Sequence, residues 1–127
     1  SQDGIIKLAP RAGIDLSAAA TPAEKLKIVQ KLMAEGDERA AAVYASTGCY
    51  LGHALAWYND LYQIRHVLLL GRVMSGRGGD LILSEAKRVL AEEYPDVRLI
   101  PSLPDEKFRR IGQSVAAASL PEIRKRG

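Results

Sequence analysis

Apolar and polar residues alternate in the first half of the chain with the three- and four-residue spacing of amphipathic helices. Thr21, Pro22 and Glu24 form a helix start, in which Thr21 is suited to the N-cap and Pro22 to the first helical position. Apolar side chains then recur on one helical face as far as Gly36, namely Leu26, Val29, Leu32 and Met33. The pattern therefore predicts a helix between Thr21 and Gly36.

A longer helix is predicted next, with Asp37 as its N-cap. Its larger side chains recur three or four residues apart, at Val43, Tyr44, Thr47, Leu51, Leu55, Tyr58 and Leu61 or Tyr62. A stripe of small residues accompanies them, formed by Ala45, Gly48, Gly52 and Ala56. A glycine inside a helix costs about 1 kcal/mol relative to alanine. Two glycines therefore indicate that another backbone approaches closely, and we expect this helix to be central and mostly buried.

The second half of the chain predicts strands alternating with helices. Residues 67–70 form a continuous apolar run, which is typical of a strand covered on both faces. A glycine-rich loop follows at 75–79, and a helix opens at Asp80 and ends before Pro95. Its inward face is predicted to hold Ile82, Ala86, Val89 and Leu90. Val97, Leu99 and Ile100 predict a second strand, residues 101–104 a loop, and Asp105 the cap of a last helix with Phe108, Ile111, Val115 and Ala116 facing inward.

The order of elements predicts an α/β fold: helix, helix, strand, helix, strand, helix. Helical crossovers between consecutive strands imply a small parallel sheet. Two strands make a poor sheet, so further strands must come from the N-terminal segment, another chain or a larger parent protein. Ile5, Ile6 and Leu8 form a short apolar run before Pro10, which predicts either a strand or a terminal arm.

Composition and charge narrow the class of protein. The chain has 127 residues, enough for one small domain, and its 47% hydrophobic and 26% charged residues indicate that it folds. Part of the net charge of +3 lies in the tail Arg124–Arg126. The sequence shows no wide basic face with neighbouring aromatic residues, so nucleic-acid binding is not predicted. No stretch is apolar enough to span a membrane, and no signal peptide is evident. The single Cys49 fits a reducing, cytoplasmic location, and the absence of an initiating Met leads us to expect a piece of a larger protein.

The glycine-rich loop is the strongest candidate for binding chemistry. A buried strand that leads through glycines to a helix N-terminus is a common anion and nucleotide site in α/β proteins. The predicted ligand-binding residues are Gly71, Arg72, Ser75, Gly76, Gly78 and Gly79. The alternative is that the glycines only shape the turn.

Other reactive side chains have structural explanations. Cys49 and His53 share a helical face but are too few for a structural zinc site, so no metal is predicted. Asp105 and Glu106 suit a helix cap and first turn better than acid–base catalysis. His66 is expected to be structural, and Trp57 with Tyr58 to lie in the core or in an interface.

Several segments resemble the C-terminal part of the ROK family, which holds bacterial sugar kinases and sugar-responsive repressors with the actin-like ATPase, ribonuclease H-like fold. The family helix Tyr-Leu-Gly-x-Gly-Leu-Ala is matched by Tyr50, Leu51, Gly52, Leu55 and Ala56. The family strand ending Gly-Gly-Gly-Val is matched by residues 67–69, Gly71 and Val73. The entry to the next helix is matched by Gly79, Asp80, Leu81 and Leu83, and the closing helix by Ile111, Gly112, Ala116 and Ala117. The resemblance covers about two-thirds of the chain.

The resemblance implies a fold fragment with a defined role. Residues 1–20 would be an N-terminal arm and loop, 21–120 the C-terminal subdomain, and 121–127 a basic tail. The subdomain would supply half of a nucleotide cleft and packing surface to a sugar kinase or regulator. ATP is expected in the full-length parent and not in this chain alone. No catalytic residue is assigned, because the phosphate loop and the catalytic Asp of the family lie outside the matched region.

The departures from the family favour a second hypothesis. Leu70 and Arg72 replace two of the three family glycines, and an arginine there could block the pocket, stack on a base or meet a phosphate. The alternative is a regulatory or oligomerisation module that has lost ATP binding. In either case we expect the remainder of the parent as a partner and a homo-oligomer, held partly by the segment from Ile5 to Leu8 acting as an added strand.

Overall fold

A computed structural model of the chain describes residues 2–62, 65–69 and 71–104, apart from the side chains of Leu61 and Tyr62. Within these residues the fold is mostly helical, with one small parallel sheet. The helices are α1 (Gln2–Arg11), α2 (Pro22–Ala34), α3 (Glu38–Tyr62) and α4 (Gly76–Glu93). The strands are β1 (His66–Leu68) and β2 (Ile100–Ser102), and a 3-10 turn spans Arg72–Met74. The predicted last helix, from Asp105, lies outside the described residues.

The two strands pair in parallel, as predicted, and α4 forms the crossover between them. Val67 is paired with Pro101 in the register of the sheet. The expectation that the first strand is covered on both faces is wrong. Pro101 is buried, whereas Leu68 is 53% exposed and Ile100 is 54% exposed. In the described part of the chain, helix α4 covers one face of the sheet, so side chains that alternate to the other face meet solvent.

The starts of α2 and α3 confirm the predicted caps. The Thr21 hydroxyl accepts a hydrogen bond from the Glu24 backbone N–H at 3.2 Å, and the Glu24 carboxylate accepts one from the Ala20 N–H at 2.8 Å. Asp37 accepts from the backbone N–H groups of Arg39 and Ala40. The Arg39 guanidinium also bonds this carboxylate, which lowers the pKa of Asp37 to about 2. These caps fix where both helices begin.

The N-terminal segment is a helix, so its interpretation as a strand is wrong. Ile5 and Ala9 are fully buried in the core that α1 shares with α2 and α3. Their four-residue spacing places them on one helical face, and Pro10 sits exposed in the last turn of the helix. The segment from Ile5 to Leu8 is therefore not available as a strand for a neighbouring sheet. The predicted homo-oligomer can therefore not be held together by this segment acting as an added strand.

Helices α3 and α4 pack with their backbones close together, as the small-residue stripe predicted. A Cβ atom added at Gly48 would lie 2.6 Å from the carbonyl oxygen of Ile82. One added at Gly52 would lie 2.8 Å from the Cβ atom of Val89. The predicted inward face of α4 is buried throughout.

The outer face of α3 differs from the expectation of a mostly buried helix. Tyr50 and Trp57 are each 70% exposed and Tyr58 is 54% exposed. Trp57 is therefore not a core residue.

Within the described residues, no helix combines the length and apolar character needed to cross a bilayer.

Tyr44 lies at the centre of the core, and its buried phenol makes folding stability depend on pH. Its side chain is fully buried, and this burial raises the pKa of its phenol to about 12 from an ordinary value of 10. The unfolded chain therefore loses the phenol proton at lower pH than the folded chain does. Folding stability should then fall as the pH rises from about 10 to about 12, and stay level with respect to this group above that range.

We expect Tyr44→Phe to remove that part of the alkaline destabilisation. Urea unfolding at pH 8 and pH 11 should show a loss of stability that is smaller in the variant by roughly 1 kcal/mol. Tyr50→Phe is the matched control, because Tyr50 is exposed. Equal alkaline losses in the Tyr44 variant and the natural chain would contradict the assignment.

Candidate functional site

A cavity of about 440 Å³ opens at the carboxyl end of the parallel sheet. Leu69, Gly71 and Arg72 follow strand β1 and line it, and Pro104, which follows β2, lines it as well. Because the strands are parallel, their carboxyl ends meet at one edge, which is where ligands bind in open α/β sheets. One face of helix α2 closes the cavity with Ala23, Leu26, Lys27 and Gln30.

The turn after β1 is shaped by Gly71. Its backbone has φ +125° and ψ 167°, a combination that side-chain-bearing residues rarely adopt. Its carbonyl oxygen accepts a hydrogen bond from the Met74 N–H at 3.1 Å, which closes the 3-10 turn. Apart from Gly71 itself and its chain neighbours, no atom of the described residues lies within 4 Å of the position that a Cβ would take, so glycine is needed here for conformation and not for space.

Helix α2 holds this turn in place through Gln30. The Gln30 side-chain amide donates to the carbonyl oxygen of Arg72 at 2.9 Å, and the Ser75 hydroxyl donates to the same oxygen at 2.7 Å. Two segments that are distant in sequence, helix α2 and the turn at 72–75, therefore meet at one carbonyl group. The turn is anchored by α2 and does not depend on its glycines alone.

The charges around the cavity favour an anion. Lys27 and Arg72 both line it, both are exposed, and neither pairs with a carboxylate in the part of the chain that the structure describes. None of the described residues that line it is acidic. Ser75 also lines the cavity and is the N-cap of α4, and its hydroxyl does not bond the helix N–H groups, so the positive end of this helix begins beside the cavity without a side-chain cap.

The structure brings together three of the six predicted ligand-binding residues. Gly71, Arg72 and Ser75 line the cavity, whereas Gly76, Gly78 and Gly79 do not. Helix α4 begins at Gly76 and not at Asp80, so the predicted loop is largely a helical first turn. Gly78 and Gly79 are buried: a Cβ at Gly78 would press on the Tyr44 ring, and one at Gly79 would overlap the carbonyl oxygen of Met74. Packing explains both glycines.

Lys27 and Gln30 are site residues that the sequence reasoning missed. Both lie on α2, more than 40 residues before the turn that they approach. The available signal was their position beside the buried Leu26 with Ala23 on the same helical face. That spacing indicates that Lys27 and Gln30 lie at the border between the buried and exposed faces of α2, but it does not indicate which later segment they contact.

His53 forms a second polar cluster, away from the cavity. Its Nδ1 atom lies 2.8 Å from the Tyr94 hydroxyl, and its Nε2 atom lies 3.1 Å from a Glu93 carboxylate oxygen. These contacts connect α3 to the end of α4.

No group of three potential metal ligands occurs among the described residues. Asp105 and Glu106, which we had weighed as an acid–base pair, lie outside those residues.

Comparison of the chain with protein-family models, with curated proteins and with solved structures gives no significant match.

Proposed function

We propose that this chain is the C-terminal subdomain of a sugar kinase or sugar-responsive regulator similar to the ROK family. In this proposal the cavity at the carboxyl end of the sheet supplies half of a nucleotide cleft. The observation that supports it best is that Lys27, Arg72 and Ser75, the N-cap of α4, line one cavity to which the described residues add no carboxylate. Phosphate groups are recognised in proteins by this combination of cations and helix N-terminus.

The fold is compatible with this role. A parallel strand pair with a helical crossover is part of the actin-like ATPase fold that the resemblance implies, and the ligand side of such a sheet is its carboxyl edge. The remainder of the parent would cover the nucleotide from the other side. ATP would therefore bind firmly only in the full-length cytoplasmic protein, and the chain alone would hold its phosphates weakly and catalyse nothing.

The second candidate function is a regulatory or oligomerisation module. The outer face of α3 favours it, because Tyr50 and Trp57 expose aromatic surface that suits contact with another protein surface. The sheet adds Leu68 and Ile100 as further exposed apolar side chains. In this version Arg72 fills the place of the nucleotide and the cavity binds no phosphate.

A titration followed by NMR separates the two functions. We expect pyrophosphate and ATP at millimolar concentration to shift the backbone amide signals of Gly71, Arg72 and Ser75, and adenosine at the same concentration to shift them much less. Signals from Asn59 and Arg98, at the opposite end of the molecule's strands, serve as the internal control. Unchanged spectra, or shifts confined to other surfaces, would favour the module without nucleotide binding.

A further inference from the structure

A second cavity of about 540 Å³ lies between α1 and α3, and it shares the lining residues Leu69 and Met74 with the proposed phosphate site. Its walls are apolar, with Leu8 from α1, Leu51 and Ala54 from α3, Val73 from the 3-10 turn and Ile82 from α4. Thr47 also lines it, but its hydroxyl already donates to the Val43 carbonyl oxygen at 2.9 Å. Cavities of roughly 300–1,000 Å³ with apolar walls are the usual sites of small organic ligands.

The charged side chains among the described residues of this groove lie on α1, whereas α3 contributes the hydroxyl-bearing Thr47 and Tyr50. Lys7 and Arg11 are four residues apart, so they project from the same side of the helix, and both line the groove while remaining exposed. Among the described residues, neither has a hydrogen-bond or ion-pair partner, and none of those that line the groove is acidic. An apolar groove with two neighbouring cations is complementary to a ligand that has an apolar body and one anionic end.

We propose that this groove binds an apolar monocarboxylate, of which a medium-chain fatty acid is the simplest example. The chain would lie against Leu8, Leu51 and Ile82, and the carboxylate would accept hydrogen bonds from Lys7 and Arg11. Arginine suits this role because its guanidinium can bond both carboxylate oxygens at once. A more polar, multiply charged ligand would make few apolar contacts with the walls of the groove, and its additional charges would lose their hydration there without a partner.

The charges argue against a second copy of the chain as the occupant. In a two-fold symmetric dimer the same patch meets itself, so Lys7 and Arg11 of one copy would approach the same cations of the other. The described residues of the groove include no carboxylate that could balance these cations. A small anionic amphiphile matches both the apolar walls and the charge.

Calorimetric titration with octanoate tests the proposal. We expect saturable binding that strengthens about tenfold from hexanoate to octanoate, and much weaker binding of octan-1-ol and octylammonium. The double substitution Lys7→Gln with Arg11→Gln should weaken octanoate binding about tenfold. Lys87→Gln, an exposed change on α4 outside the groove, should leave it unchanged.

A blocking variant makes the location testable without removing charge. Gly4 lines the groove, and outside its own stretch of α1 no atom of the described residues lies within 4 Å of the position of an added Cβ, so Gly4→Phe should fill the groove while preserving the fold. We expect this variant to keep its circular dichroism spectrum and to lose octanoate binding. The proposal is overturned if no carboxylate binds at millimolar concentration, if octan-1-ol binds equally well, or if Gly4→Phe leaves binding intact. It is overturned equally if Gly4→Phe instead abolishes a dimer in light scattering and octanoate does not bind.

Discussion

Replacing Gly79 by alanine should destabilise the fold by about 3 kcal/mol. The added Cβ would overlap the carbonyl oxygen of Met74 and approach its carbonyl carbon. Both are backbone atoms, so no side-chain rotation can relieve the contact. The 3-10 turn would have to move away from α4, although Val73 and Met74 are both buried in the core. Since small domains are stable by only about 5–15 kcal/mol, urea unfolding should detect the loss easily.

Gly4→Ala is the matched control for this prediction. Gly4 also lies in a helix, but a Cβ there would meet nothing within 4 Å. Alanine should therefore stabilise α1 by roughly 0.5–1 kcal/mol through its better helix propensity. Equal stability of the Gly79 variant and the natural chain would mean that the turn and α4 do not pack as closely as described.

Features that depend on neighbouring residues were predictable from the sequence. The caps at Thr21 and Asp37 rest on hydrogen bonds that reach two or three residues along the chain, so the local pattern specifies them. The close packing at Gly48 and Gly52 was predictable for a different reason. A helix tolerates two glycines when another backbone needs the space, and the spacing of the pair already marked one face.

Features that depend on distant segments were missed or misplaced. A run such as Ile5, Ile6 and Leu8 is equally compatible with a strand or a helix, and burial of Ile5 and Ala9 against α2 and α3 decides for the helix. The prediction placed the start of helix α4 at Asp80 instead of Gly76, because a run of glycines is typical of a loop. Gly78 is required by Tyr44, which lies 34 residues earlier (78 minus 44).

The candidate site was predictable only on one side. Gly71, Arg72 and Ser75 follow a strand, and the rule that ligands meet the carboxyl ends of parallel strands leads to them directly. The other side of the cavity belongs to α2, where Lys27 and Gln30 look like ordinary polar positions of an amphipathic helix. Their role depends on where α2 packs, and the sequence spacing within α2 does not contain that information.

Lys27 and Arg72 should together account for most phosphate binding by the cavity. We expect Lys27→Gln and Arg72→Gln each to weaken pyrophosphate binding about tenfold, and the double variant by up to about a hundredfold. Both cations line the same cavity, and no acidic side chain among its described lining residues competes for them. Titration at low and at physiological salt should show the largest differences at low salt, because the groups are exposed.

Lys31→Gln provides the control that separates a site from a general charge effect. Lys31 lies one turn further along α2, is exposed, and does not line the cavity. It therefore changes the net charge by the same amount as Lys27→Gln without removing a group from the site. An equal loss of pyrophosphate binding in the two variants would show that the anion is attracted by overall charge alone. A loss confined to the Lys27 and Arg72 variants would support a phosphate site at the carboxyl end of the sheet, because long-range attraction does not distinguish two lysines on one helix while direct contact does.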